Sequence, residues 1–265
     1  MSAMRDTGLP DLSGQRVLVT GASGGVGSGI ARRFAAAGAH LAVHYRGASA
    51  ASVEAAFAVV EELRERGCVA VAVRADLGEP GSAARLVDEA VRALGGLDGL
   101  VNNAGIQPLA LLAETSREEW DEVLATNLGA VFELSQAAAA AMGAAGSNGW
   151  ITHIASIEAS RPAPAHAHYA VAKAGLVMHA RAAALELGPA GIRVNTVSPG
   201  LVDRPGLAEA WPEGVESWVS HAPLGRLATA EDIGDACVLL ASPAASFITG
   251  QDLAVDGGML ATPGW

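Results

Sequence analysis

The chain has 265 residues, 51% of them hydrophobic, and a formal net charge of −11. That length buries a substantial core and fits one large domain, residues 1–265, better than two. The acidic balance is repelled by phosphate backbones and anionic membrane surfaces, so neither nucleic acid nor membrane is expected as a partner.

In chain order, the opening MSAMRDTGLPDLSGQ carries no apolar core of the kind that marks a signal peptide, and no later stretch reaches the ~18 consecutive apolar residues of a membrane span. RVLVTG, the first predicted strand, runs into a glycine-rich turn. Gly21, Gly25 and Gly27 fall between that strand and the helix GSGIARRFAAAG, where bare backbone approaches a pyrophosphate and a helix N-terminus favours its charge. HLAVHYR follows as the second strand. Its end should face an adenosine ribose, and it offers no acid there; Arg46 is suited instead to a 2′-phosphate. The expected cofactor is therefore NADP, with NAD possible.

Further apolar runs, CVAVAVRAD, LDGLVNNAG, WITHIAS, IRVNTVSPG and DLAVDGG, complete seven strands too continuously apolar to have a wet face. They alternate with helical patterns, among them the uninterrupted REEWDEVLATNLGAVFELSQAAAAAM. The reading is an α/β fold: a doubly wound, Rossmann-type, seven-stranded parallel sheet with helices on both faces. Residues 200–229, with Pro205, Trp211, Pro212 and Trp218, form the one long stretch without a repeating pattern, and such a segment serves as a lid or substrate loop. Cys68 and Cys237 stand apart, and neither Cys nor His recurs at metal-ligand spacing. No metal is expected, and two ordinary buried thiols suit a reduced, cytoplasmic compartment.

Of 17 basic residues only Lys173 is a lysine, and it stands four positions after Tyr169. On a helix the two project from one face. Ser156 closes an apolar strand, where open α/β sheets place ligand-binding groups. Reduction of a ketone needs a hydride on carbon and a proton on oxygen, and a free tyrosine with a pKa of ~10 is a poor base near neutrality. An ammonium ~4 Å away at an effective dielectric of ~20 supplies ~4 kcal/mol, about three pKa units. The expected roles are Tyr169 as general acid and base, Ser156 as hydrogen-bond partner of the carbonyl oxygen, and Lys173 as the group that lowers the Tyr169 pKa and holds the nicotinamide ribose. Asn127 is expected to anchor a water that links Lys173 to solvent. His153, His166 and His168 flank this cluster in sequence.

Taken together, TGASGGVG, Asp76-Leu77, NNAG at 102–105, Asn127, Ser156, Tyr169 with Lys173, SPG at 198–200 and ITGQDLAVDGG resemble the motifs of the short-chain dehydrogenase/reductase family, in order, from Gly14 to Gly258. The resemblance implies a catalytic tetrad of Asn127, Ser156, Tyr169 and Lys173. It implies cofactor contacts from Gly21, Ser23, Gly25, Val26, Gly27, Tyr45, Arg46, Asp76, Leu77, Asn103, Ala104, Gly105, Tyr169, Lys173, Pro199, Gly200 and Val202, and a homotetramer packed through the C-terminal motif. One departure is Arg204, where the family commonly has Thr. The expected activity is transfer of a hydride between NADP(H) and a ketone or secondary alcohol of a small or medium hydrophobic molecule. The runner-up substrate is a 3-oxoacyl chain on a carrier protein. Carrier proteins are acidic and dock on basic groups, yet LGAVFELSQAAAAAMGAAGSNG contains no Lys or Arg, so a free small molecule is expected. The alternatives of another class are a non-catalytic NADP sensor and an assembly protein.

Overall fold

The computed structural model describes residues 8–146 and 148–263; the reading of residues 1–7 falls outside them. Seven strands form one sheet: β1 (Arg16–Val19), β2 (His40–Tyr45), β3 (Ala70–Arg74), β4 (Gly99–Asn102), β5 (Trp150–Ile154), β6 (Arg193–Pro199) and β7 (Asp252–Val255). Their order is β3-β2-β1-β4-β5-β6-β7, and every pairing is parallel. Each lies within its predicted apolar run.

The continuous apolarity of those runs has its cause in two separate cores. On one face Ile30 and Phe34 of α1 (Gly25–Ala36), Val59 and Leu63 of α2 (Ala50–Glu65), and Ile233 and Cys237 of α9 (Ala230–Ala241) pack on Val17, Val19, Leu41 and Val43. On the other, Leu86 of α3 (Ser82–Leu94), Leu134 and Met142 of α5 (Ala130–Ala144), and Ala180 of α6 (Ala167–Leu187) pack on Leu18, Leu100 and Ile151. In β1, β2, β4, β5 and β6 residues of both parities are therefore buried and alternation disappears, whereas β7 at the sheet edge alternates exposed and half-buried positions. Helices α1 and α9 approach closely through glycine: a Cβ on Gly29 would stand 2.4 Å from the Ala230 Cβ.

Two local departures from the sequence reading concern the site. The single helix expected over 117–142 is divided into α4 (Arg117–Leu124), one π-helical turn (Ala125–Gly129) and α5. Such widened turns interrupt α-helices mostly at functional positions, and this one carries Asn127. Within 200–229, expected to lack repeating structure, lie α7 (Leu207–Ala210) and α8 (Pro212–His221). Their prolines and glycines hid them: Pro212 occupies the first position of α8, where a missing N–H costs nothing.

Candidate active site

The order of strands reverses between β1 and β4, and open α/β sheets bind ligands in the crevice outside the carboxyl ends at that point. Thr20 Oγ1 accepts from the backbone N–H groups of Asn103 (2.9 Å) and Ala104 (3.0 Å). Asn103 Nδ2 donates in return to the carbonyls of Thr20 (2.9 Å) and Gly21 (3.1 Å). The glycine turn rests on this clasp. Gly21 has φ +63°, and a Cβ there would stand 2.9 Å from Ala104 Cα; one on Gly27 would stand 2.3 Å from the Gly21 carbonyl oxygen. Above the turn the situation inverts, since nothing lies within 4 Å of a Cβ on Gly24 or Gly25. Helix α1 starts there with no side-chain cap and no acid in its first turn, so its first N–H groups are left for an anion. These residues fit a dinucleotide pyrophosphate. Ser23 is half-buried on the turn, and Val26 packs into the core behind it.

A residue that the sequence reading missed fixes this loop from the side. Gly21 N–H donates to His44 Nδ1 at 2.9 Å, and His44 Nε2 lies 3.0 Å from the Ala75 carbonyl oxygen. An accepting Nδ1 puts the proton on Nε2, which donates to Ala75. His44 is thus a neutral strut between the glycine turn and the end of β3. Burial lowers its pKa, against opposing contributions from the Ala75 bond and Asp76. Nothing local in HLAVHYR announces this, because both partners are distant in sequence.

At the ribose edge Arg46 is exposed, and Tyr45 is buried with its ring edge-on to Phe57. A second arginine, also missed, stands beside them. Arg74 pairs in register with Tyr45, donates from Nε to the Arg46 carbonyl at 3.4 Å, and lies 2.7 Å from where a Gly47 Cβ would be. Asp76 Oδ1 accepts from Gly78 N–H at 3.0 Å, and Leu77 packs on the second core.

The expected tetrad comes together. Ser156 follows β5, Tyr169 and Lys173 lie in the first two turns of α6, and their side chains converge. The Ser156 side chain acts on the Tyr169 hydroxyl, holding its pKa down. Lys173 is buried, with Nζ donating to the Ile154 carbonyl at 2.7 Å and 5.4 Å from the centre of the Tyr169 ring. Asn127 clamps Ile106, accepting from its N–H and donating to its carbonyl, both at 2.8 Å. A Cβ on Gly105 would stand 2.9 Å from Asn127 Oδ1 and 3.9 Å from Lys173 Nζ. A side chain at position 105 would therefore crowd the Asn127 amide.

The expected electrostatics need correction. Tyr169 is not lowered in this structure; burial pushes it up to about 12, the Ser156 bond opposes this, and the Glu158 carboxylate adds to it. Lys173 is itself lowered to about 8 by burial. Its ammonium is committed to Ile154 and lies beside the ring of Tyr169, so the attraction assumed for a close, half-solvated pair does not develop. The tyrosine therefore carries the proton that carbonyl reduction requires, while its raised pKa opposes the transfer.

On the far side of the cleft, Pro199 and Gly200 end β6, and Val202 makes an isolated parallel bridge to Ala228. A Cβ on Gly200 would come within 2.7 Å of the Trp218 ring, and Trp218 packs against Ile157, Ala222 and Met259. Trp218 thus seats the 200–229 segment under the cleft, whereas Trp211 covers Gly214 and is half-exposed. Arg204 is exposed, and Arg161 spends its guanidinium on Met259 O (3.2 Å) and Thr262 Oγ1 (3.4 Å).

The three flanking histidines separate. His153 is fully buried between Asn102 and His179, at 3.0 Å from each, and burial drives it down to about 3. His168 is fully buried. His166 alone faces Tyr169, edge to face with centroids 6.1 Å apart. Glu158, which the sequence reading did not single out, holds His166 Nδ1 at 2.8 and 3.0 Å. An open groove of about 560 Å³ is lined by Glu158 with Leu111, Leu112, Pro162, Ala163 and Val171; none of the four tetrad residues lines it. Among the described residues no helix is long and apolar enough to cross a membrane, and no group of three or more His, Cys, Asp or Glu side chains is placed to hold a metal.

A doubly wound parallel sheet with a dinucleotide cradle beside a Ser-Tyr-Lys cluster defines a nicotinamide-dependent oxidoreductase. Residues 21–260 match the family model described as enoyl-(acyl carrier protein) reductase. The chain is 38% identical over 242 residues, 91% of its length and 96% of the relative's, to 3-oxoacyl-(acyl-carrier-protein) reductase FabG of Staphylococcus aureus. A gluconate 5-dehydrogenase of Burkholderia cenocepacia in complex with NADP and tartrate superposes with a TM-score of 0.87 at 31% identity, covering 96% of this chain and 98% of that one. A 7α-hydroxysteroid dehydrogenase complexed with NADH and 7-oxo glycochenodeoxycholic acid gives 0.87 at 34% identity, covering 97% and 98%. The chain belongs to the short-chain dehydrogenase/reductase family and is an NAD(P)-dependent oxidoreductase acting on CH–OH and C=O groups.

Proposed function

We propose that the protein is an NADP(H)-dependent carbonyl reductase or alcohol dehydrogenase that acts on a free, small or medium hydrophobic molecule. The observation that carries this reading is the convergence of Ser156, Tyr169 and Lys173 next to an open, anion-ready glycine turn. When bound, the nicotinamide gives or takes the hydride. The pyrophosphate would rest on Gly21, Ser23, Gly25, Val26 and Gly27. Tyr45, Arg46, Asp76 and Leu77 would hold the adenosine end, with Arg74 joining Arg46 at a 2′-phosphate, where paired guanidiniums favour NADP. Asn103, Ala104, Gly105, Pro199, Gly200 and Val202, with Tyr169 and Lys173, would hold the nicotinamide riboside.

Ser156 hydrogen-bonds the carbonyl oxygen, and Tyr169 passes its proton to that oxygen as the hydride arrives on carbon. Lys173 returns a proton toward Tyr169; its lowered pKa of about 8 makes it a ready relay near neutrality. A water between Lys173 and Asn127 would resupply that proton. Segment 200–229 is the substrate loop of a single domain, and the exposed β7 edge with Phe247 beside it suits the packing of a homotetramer. A cytoplasmic location accords with the two buried thiols.

NADPH consumption over a panel of uncharged ketones tests the reading. Turnover by the parent that Tyr169→Phe abolishes supports it. Stabilisation by NADPH without turnover of any ketone points to a sensor, and no stabilisation at all to an assembly protein. A carrier-bound 3-oxoacyl chain used much better than its short thioester would overturn the free substrate.

A further inference from the structure

Glu158 and His166 are built into the site from both sides of the tetrad. Glu158 lies two residues after Ser156 in a short 3-10 turn, and its own N–H donates to Ser156 Oγ at 3.1 Å. His166 lies three residues before Tyr169 at the start of α6 and packs its ring on that of Tyr169. Their contact at 2.8 Å joins two side chains that are 16% and 15% exposed. His166 Nδ1 donates to the carboxylate, which fixes its other ring nitrogen and orients both oxygens of Glu158. Gln107 Nε2 adds a long bond to Oε1 at 3.5 Å.

This arrangement places a carboxylate beside the tyrosine, and among the described residues no arginine or lysine is paired with it. Arg161, the nearest arginine in sequence, turns to Met259 and Thr262, and Lys173 turns to Ile154. A carboxylate here opposes ionisation of Tyr169, so it brings no advantage to the tyrosine as a base. Its disadvantage is offset when a substrate group donates a hydrogen bond to it. A substrate carboxylate at the same place would meet repulsion and find no cation. Glu158 also lines the open apolar groove, which has room for the rest of the molecule.

We propose that Glu158, oriented by His166, is a substrate-recognition residue that accepts a hydrogen bond from a hydroxyl on a carbon neighbouring the reacting one. The substrate class is an uncharged hydroxyketone, or the corresponding diol, with an apolar body; keto acids are rejected. This rests on the carbonyl-reductase reading above and adds the identity of the neighbouring group. A site that hydrogen-bonds a substrate hydroxyl discriminates against the analogue that lacks it, here by the loss of one charge-assisted bond to a carboxylate that His166 already holds in place.

The experiment is steady-state NADPH oxidation with 1-hydroxy-2-octanone, 2-octanone and 2-oxooctanoate, using the parent, Glu158→Gln and Glu158→Ala, each checked by its NADPH-induced rise in Tm. The parent should favour the hydroxyketone over the plain ketone by at least about tenfold in kcat/KM, and over the keto acid by more. Glu158→Ala should bring the first ratio to within about threefold. Glu158→Gln, which keeps an acceptor and loses the charge, should narrow the keto-acid ratio more than the plain-ketone ratio. A general structural role would lower all three substrates together and leave the ratios unchanged, and unchanged ratios overturn the recognition role alone. Turnover of none of the three by an NADPH-stabilised parent overturns the carbonyl-reductase reading and this inference with it.

Discussion

The two halves of the cleft are built differently. On the cofactor side, Thr20, Gly21, His44 and Asn103 sit at strand ends and are cross-linked by bonds of 2.9 to 3.1 Å, and the site is made mostly of backbone. Opposite, the substrate side rests on the turn after β5 and the segment 200–229, and its character comes from side chains: Glu158, His166, Trp211 and Trp218. A backbone site tolerates few residue types and leaves a motif, whereas a side-chain site on loops varies with its ligand. The three relatives are named for, or bound to, an acyl-carrier substrate, a sugar acid and a bile acid.

If the division holds, variants should separate into effects on chemistry and effects on cofactor binding. The largest effect belongs to Tyr169→Phe, which removes the proton donor and should lower kcat by about a hundred- to ten-thousandfold while NADPH still raises Tm. Equal losses of turnover and NADPH affinity would place Tyr169 on the binding side instead. Next, Arg46→Asp exchanges a charge-assisted bond for repulsion and should weaken NADPH by about ten- to a hundredfold with little change for NADH. Unchanged Michaelis constants for NADPH would remove Arg46 from the ribose edge.

A smaller effect sharpens the role of the strut. His44→Leu leaves Gly21 N–H and the Ala75 carbonyl unpaired and should weaken NADPH about tenfold by equilibrium titration, with kcat at saturation nearly kept. The sign of its pH dependence follows from its lowered pKa. The native state holds His44 neutral, the unfolded chain binds a proton below the ordinary value of 6.5, and stability therefore falls as pH drops through that value. His153 and His179, also lowered by burial, act in the same direction. The difference between parent and His44→Leu isolates the strut: parent stability should fall more steeply from pH 7 to 5, and identical slopes would deny His44 its neutral role.

The same contrast explains what could be read from the sequence. The inner strands were legible because both faces of a parallel sheet are apolar, and the glycine turn and the Tyr169-Lys173 pair were legible because helix and turn geometry act over few residues. His44, Arg74 and Glu158 were not, since their partners are joined only by the folded sheet. The break at Asn127 was hidden because a π turn barely disturbs hydrophobic periodicity, α7 because four residues are too few to show a period, and α8 because its Pro212 and Gly214 read as loop residues. The pKa of Tyr169 was misjudged for a related reason: burial and the Glu158 charge are tertiary facts.

Lys173 offers the most direct measurement, because a chain that otherwise uses arginine keeps a lysine at the centre of the proposed chemistry. Lys173→Arg preserves the charge but puts a wider, forked donor with no releasable proton into a buried place. Crowding there should cost about 1 to 3 kcal/mol, so kcat and the NADPH-induced Tm shift are measured together, well below the variant's Tm. The account predicts a folded protein that NADPH still stabilises and whose turnover is down by at least about a hundredfold. Near-parental turnover and NADPH affinity in Lys173→Arg would contradict it.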